Sequence, residues 1–198
     1  MNTERLTKQI DFLIEVEKLK TIYRQNMVFD RSRHENSAEH SWHLVLMALI
    51  LTDTTADPSV DKAVVMEMLL IHDIVEIDAG DTFLYDETGC ATKEDRETRA
   101  AQRIFGLLPD DQKQRAIALW QEFDERKTPN ALFAAALDNM QPVLNHYING
   151  GSAIRHHALT RSQIIEKKQF IQQASPALWQ ITLEYINKSA EAGFYTPD

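Results

Sequence analysis

The chain has 198 residues, 43% of them hydrophobic and 26% charged, which is enough apolar material for a core and short enough for one domain spanning 1–198. Its 30 acidic side chains outnumber the 21 basic ones, a formal net charge of −9, so the surface repels a polyanion and a large nucleic acid is excluded as a partner. The longest wholly apolar run, Leu44 to Leu51, is far shorter than the roughly 18–20 residues of a membrane span, and the N-terminal stretch is polar, so a soluble cytoplasmic chain with no membrane partner is expected.

No stretch alternates apolar and polar residues at a period of two, whereas apolar residues recur at three- and four-residue spacing, so the fold class expected is all-α. Thr3 can cap a first helix carrying Leu6, Ile10, Leu13, Ile14 and Leu19, with its end near Arg24. A polar connection, 30–36, follows, and Ser37 can cap a second helix to about Thr54, with Glu39 in its first turn. Asp57-Pro58 reads as the cap and first position of a third helix over 58–78, so apolar that it belongs at the centre of the molecule. The Gly-, Asp- and Thr-rich segment 79–91 reads as a long loop, and places Cys90, the single cysteine, as a loop thiol that excludes an internal disulfide. Thr92 with Asp95 suggests a capping box for a fourth helix ending near Leu108. Pro109-Asp110 opens a fifth and Thr128-Pro129 a sixth, in which Pro142 is a candidate kink and Gly150-Gly151 the stop. Helices over 161–174 and 176–190 complete the chain.

Three groups are out of place in the apolar third helix: His72, Asp73 and Glu76. Burying them without partners costs several kcal/mol, and a metal ion is a good compensator because imidazole and carboxylate both ligate it. His40 and His43 begin the second helix, and Asp138 ends the apolar run 131–137, so other helices offer further donors. Each has an ordinary reading as well. A surface or helix-end role suits His40 or Asp138 taken singly, and His43 reads as a packing residue. His34, His146, His156 and His157 read as solvated. The His-Asp dipeptide alone occurs by chance roughly 0.5 times in a chain of this composition.

His40, then His72-Asp73, then Asp138 resemble the H…HD…D signature of the HD-domain metal-dependent phosphohydrolases. The strings ENSAEHSW at 35–42, LLIHDIVEIDAGD at 69–81 and LDNMQPVLNHY at 137–147 are similar to its 5′-deoxynucleotidase-like branch, so the motif-bearing core covers about 13–147 and helical pattern alone covers 160–190. The resemblance implies a single-domain HD helical bundle whose metal ligands are His40, His72, Asp73 and Asp138. It implies one divalent transition metal (Mn²⁺, Co²⁺, Fe²⁺, Ni²⁺ or Zn²⁺ before Mg²⁺), since the donors are imidazole and carboxylate without thiolate. Glu76 and Asp81 then serve the attacking water and the leaving oxygen, and Arg24 binds the phosphate, with Arg33 a second candidate. The activity implied is hydrolysis of (deoxy)ribonucleoside 5′-monophosphates to nucleoside and phosphate. Another small phosphate ester, a pyrophosphate, or a non-catalytic metal- or nucleotide-binding module are the alternatives. Some members carry a tryptophan after that arginine, suited to crowding a ribose 2′-hydroxyl; here Gln25 stands in its place. A homodimer is implied by the resemblance, with helices 161–190 available either as its interface or to close the monomer's core.

Overall fold

Apolar residues three and four apart put most of the chain into helices: α1 Thr3–Val16, α2 Ser37–Leu51, α3 Lys62–Ile71, α4 Glu76–Ala79, α5 Glu87–Ala91, α6 Lys93–Ile104, α7 Asp110–Glu125, α8 Pro129–Ile148, α9 Arg161–Lys168, α10 Ile171–Ala174 and α11 Pro176–Glu191. The computed structural model describes residues 3–151 and 157–198; His156 lies outside them. The all-α class holds, with one small hairpin added. Helix α8 runs through the middle. Its fully buried Ala131, Ala134, Ala135 and Ala136 let neighbouring helices approach closely, and Leu44 of α2, Met68 and Leu69 of α3, Ile171 of α10 and Leu178 of α11 pack around it. A second cluster of Leu19, Ile74, Val75, Ile104, Phe105 and Trp120 lies under α4 and α6. Val143, Leu159, Ile164 and Ile186 form a third, which ties α9 and α11 to the end of α8. The C-terminal helices therefore close the monomer's core. No described helix is long and apolar enough to cross a membrane.

The first helix differs from its expected course. It stops at Val16, passes into a 3-10 turn over Glu17–Thr21, and gives way to strand β1 Tyr23–Met27, antiparallel to β2 His34–Asn36. Strands of five and three residues are too short to show an alternation. Moreover, no residue of α1 is buried, and its apolar stripe faces outward: Leu13 is 62% and Ile14 65% exposed.

Caps explain the other shifts. Asn36, one residue before the expected Ser37, caps α2 in a full capping box: its side chain accepts from the Glu39 N–H at 2.9 Å, and the Glu39 carboxylate accepts from the Asn36 N–H. Asp61, not Asp57, caps α3, because the Asp57 carboxylate is already engaged by the Ser59 N–H and hydroxyl. The expected single helix over 58–78 is interrupted at residues 72–75, where bonds such as Glu76 N–H to Asp73 C=O follow an i→i+3 pattern. Cys90 lies in α5 rather than in a loop, and is exposed. Thr92 makes no capping bond; its hydroxyl instead accepts from Arg96. Helix α8 continues through Pro142, and Gly150 and Gly151 end it with φ of 62° and 74°. The expected helix 161–174 is two helices, α9 and α10.

Candidate metal centre and active site

Three helices deliver the unusual donors to one place. His40 lies in the first turn of α2, His72 and Asp73 follow the end of α3, and Asp138 is at mid-length in α8. His40 Nε2 lies 2.9 Å from Asp138 Oδ1 and 3.9 Å from Asp73 Oδ2; His72 Nε2 lies 3.0 Å from Asp73 Oδ1 and 3.9 Å from Asp138 Oδ1. At the break that follows Ile71, neighbouring His72 and Asp73 turn their polar ends toward each other and reach the same point.

These groups fit a divalent cation. His72 Nδ1 is bonded to the Leu69 carbonyl at 2.9 Å, so Nε2 is the atom turned toward the two aspartates, and it is buried without a hydrogen-bond partner. Donor atoms of His40, His72 and Asp73 all lie within 4.8 Å of one another, a span close to that of ligands about one ion. Burial, helped by the Arg24 charge, pulls His40 down to about 4, which keeps it neutral as a ligand must be. Burial works against a charged His72, yet Asp73 and Asp138 outweigh it and raise its pKa. Burial likewise works against an ionised Asp138, but its hydrogen bond with His40 and the nearby His72 ring hold it well below the carboxylate range. The cluster is built to surround positive charge.

Arg24 stands on β1, not at the end of a helix. Its Nη1 is 2.8 Å from Asp73 Oδ2, 3.7 Å from Asp81 and 3.9 Å from Glu76. Desolvation opposes its charge, but these carboxylates more than offset that and raise its pKa further. The Ser37 hydroxyl donates to Glu76 Oε2 at 2.6 Å. Burial first, then the Asp73 charge, drives Glu76 well above the carboxylate range; burial also raises Asp81. The structure thus brings His40, His72, Asp73, Asp138, Arg24, Glu76 and Asp81 together. Arg33 stands apart: its fork grips Glu39 at 2.6 and 2.8 Å at the surface.

Beside the cluster opens a cavity of about 170 Å³ that Gln25 lines. Several of its residues were not singled out by the sequence. Lys93 is 3.6 Å from Glu97. Lys168 on α9 donates to Asn139 at 2.8 Å, and burial draws its pKa down to about 8. His146, expected in solvent, is 3% exposed and stacks on Tyr195 of the C-terminal tail with ring centroids 4.9 Å apart. His157 is exposed but lies over Phe83 at 4.2 Å. His43 packs beside Trp42, away from the cluster. Glu35 on β2, inside the ENSAEHSW string, is also buried; its free Oε2 faces the free Nδ1 of His40 across 3.8 Å. Asn139 and Gln141 flank Asp138 in the LDNMQP string, so proximity to the motif was the available signal for them. Lys168 carried none.

The HD domain model matches residues 16–179, most of the chain and all of the cluster. The chain belongs to the HD domain family. Among its relatives, the 5′-deoxynucleotidase HDDC2 of Danio rerio is 30% identical over 140 residues, covering 70% of this chain and 68% of that protein. HDDC2 of Homo sapiens is 29% identical over 136 residues, covering 68% and 65%. The chain thus spans about two thirds of the relatives it matches. A crystal structure from Magnetospirillum magnetotacticum MS-1, described as a predicted metal-dependent phosphohydrolase, is 44% identical with a TM-score of 0.91, covering 98% of this chain and 100% of that one. A conserved protein from Pyrococcus furiosus shares the fold alone, at a TM-score of 0.61 and 19% identity. Family and donor cluster together support a divalent metal here.

Proposed function

We propose that this HD-domain chain is a metal-dependent phosphohydrolase that converts nucleoside 5′-monophosphates to nucleoside and phosphate. The carrying observation is the convergence of His40, His72, Asp73 and Asp138, the last three of which line a cavity that also contains the largely enclosed Arg24. The names of the relatives add the nucleotide class. His40, His72, Asp73 and Asp138 would hold the metal, and two imidazoles with two carboxylates suit Mn²⁺, Co²⁺, Fe²⁺, Ni²⁺ or Zn²⁺ better than Mg²⁺. When bound, such an ion supplies Lewis acidity to water and to a phosphoryl oxygen.

The rest falls to the chain. Arg24 offers a planar fork to the phosphoryl oxygens, held in place by the carboxylates around it. Glu76 and Asp81 share the proton traffic: one takes a proton from the attacking water as its oxygen bonds to phosphorus, and the other returns a proton to the 5′-oxygen as the P–O bond breaks. Ser37 orients Glu76 for this work. Gln25, at the cavity wall, borders the sugar. The same reading takes 1–198 as one HD domain, a cytoplasmic enzyme, and a homodimer whose contact uses the exposed apolar side chains of α1 and α2, among them Ile14, Trp42 and Ile50. Sedimentation at micromolar concentration, with a monomer as the opposing result, tests the last point.

The activity is tested by stripping the protein with a chelator, reloading it separately with Mn²⁺, Co²⁺, Ni²⁺, Zn²⁺ and Mg²⁺, and measuring phosphate release from deoxyribo- and ribonucleoside 5′-monophosphates. Turnover restored by a transition metal and abolished in His72→Ala is the expected outcome. Equal turnover by stripped protein sinks the metal role, and silence toward every nucleotide by a folded, loaded protein sinks the substrate class.

A further inference from the structure

Among the described residues, every other cation of the cavity has an obvious employment. Arg24 is held by Asp73 at 2.8 Å, Lys93 faces Glu97 at 3.6 Å, and Arg126 is exposed and lies over the Phe170 ring at 5.3 Å. Lys168 does not fit this pattern. It is the last residue of α9, is 6% exposed and lines the cavity. Its single hydrogen bond among the described residues goes to a neutral group, Asn139 Oδ1, at 2.8 Å, and no described carboxylate lies within 4.0 Å of it. An ammonium has three N–H donors, and a buried one without an anion is an expensive arrangement that folding alone does not select.

Position gives the charge a use. Asn139 Nδ2 lies 3.3 Å from Asp138 Oδ2, so Lys168 is two hydrogen bonds away from a member of the metal-ligand cluster and shares its cavity. Asp73, Glu76, Asp81 and Asp138 make that cavity acidic, a poor host for a phosphate dianion unless cations remain available to it. We propose that Lys168 is a substrate-binding residue whose ammonium takes a phosphoryl oxygen of the nucleotide from the α9 wall, while Arg24 approaches it from the β1 wall. The inference rests on the phosphohydrolase reading above. It gives the segment beyond the motif-bearing core a part in recognising substrate.

The test uses the full-length, metal-loaded protein and inorganic phosphate as the probe. Binding of phosphate is measured by calorimetry, KM and kcat for a nucleoside 5′-monophosphate by phosphate release, and metal by elemental analysis, for wild type, Lys168→Met and Lys168→Gln. Gln keeps a donor for Asn139 without the charge. Loss of one charge-assisted hydrogen bond predicts phosphate affinity weakened about 10- to 100-fold, and KM raised by a like factor, in both variants, with metal content retained. Unchanged phosphate binding in variants that keep their metal overturns the proposal. Loss of metal or of folding in both overturns it too, since Lys168 would then serve only to brace Asn139 and Asp138. If wild type binds phosphate in a Lys168-dependent way yet hydrolyses no nucleotide, the nucleotidase reading fails and this one stands.

Discussion

At the scale of single residues, burial decides which side chains of the cluster carry charge. Glu35 Oε2 and His40 Nδ1, both without a hydrogen-bond partner, face each other across 3.8 Å, and a small approach would let the carboxylate fix the ring of a metal-binding histidine. Glu35→Ala is therefore expected to weaken metal binding about 10- to 100-fold in a chelator competition, with the fold intact. Lys168 makes a pH prediction. Its folded pKa of about 8 lies below its ordinary value of 10.5, so between these two the unfolded chain binds more protons than the native one. Stability should then rise with pH across that window by about 3 kcal/mol, and Lys168→Met should remove the rise in chemical denaturation. Much of the cluster could be read from sequence because polar groups in an apolar helix, such as His72 and Asp73, have few ordinary explanations. Lys168 could not. A lysine at the end of a polar helix looks solvated, and only the packing of α9 on α8 buries it.

At the scale of elements, small devices set the reach of the donors. The Asn36–Glu39 capping box fixes the start of α2 and so the direction of His40, which follows a few residues on. Asn36→Ala should cost about 1 kcal/mol and lower the melting temperature by roughly 2–4 °C in a thermal scan, with a parallel loss of metal affinity. An unchanged affinity would mean that His40 is placed by core packing instead. The break after α3 could not be seen in the sequence, since its residues 72–77 keep the apolar pattern of a continuous helix. The hairpin that carries Arg24 and Glu35 was equally invisible, being too short for periodicity and flanked by polar residues. Long helices were legible because their patterns average over several turns; α7 and α8 start where Pro109-Asp110 and Thr128-Pro129 place them.

At the scale of the whole molecule, the motif-bearing core and the folding unit are not the same length. Asp138 sits on α8, whose buried face of Ala134, Leu137 and Met140 shares one cluster with Ile171, Ala174 and Leu178 from α10 and α11. A chain cut at residue 150 exposes that face and is expected to fail to fold, as a flat thermal melt and rapid proteolysis would show; a cooperative melt would refute this. Cutting only residues 194–198 removes Tyr195 from the cavity and leaves α11 whole, so a folded protein with altered KM is expected. The order of synthesis gives this arrangement a temporal meaning. His40, His72, Asp73 and Asp138 all leave the ribosome before α10 and α11 do, so the helix that carries Asp138 is made before the helices that cover its apolar face, and the four donors reach their final spacing only after the segment 171–191 has been made.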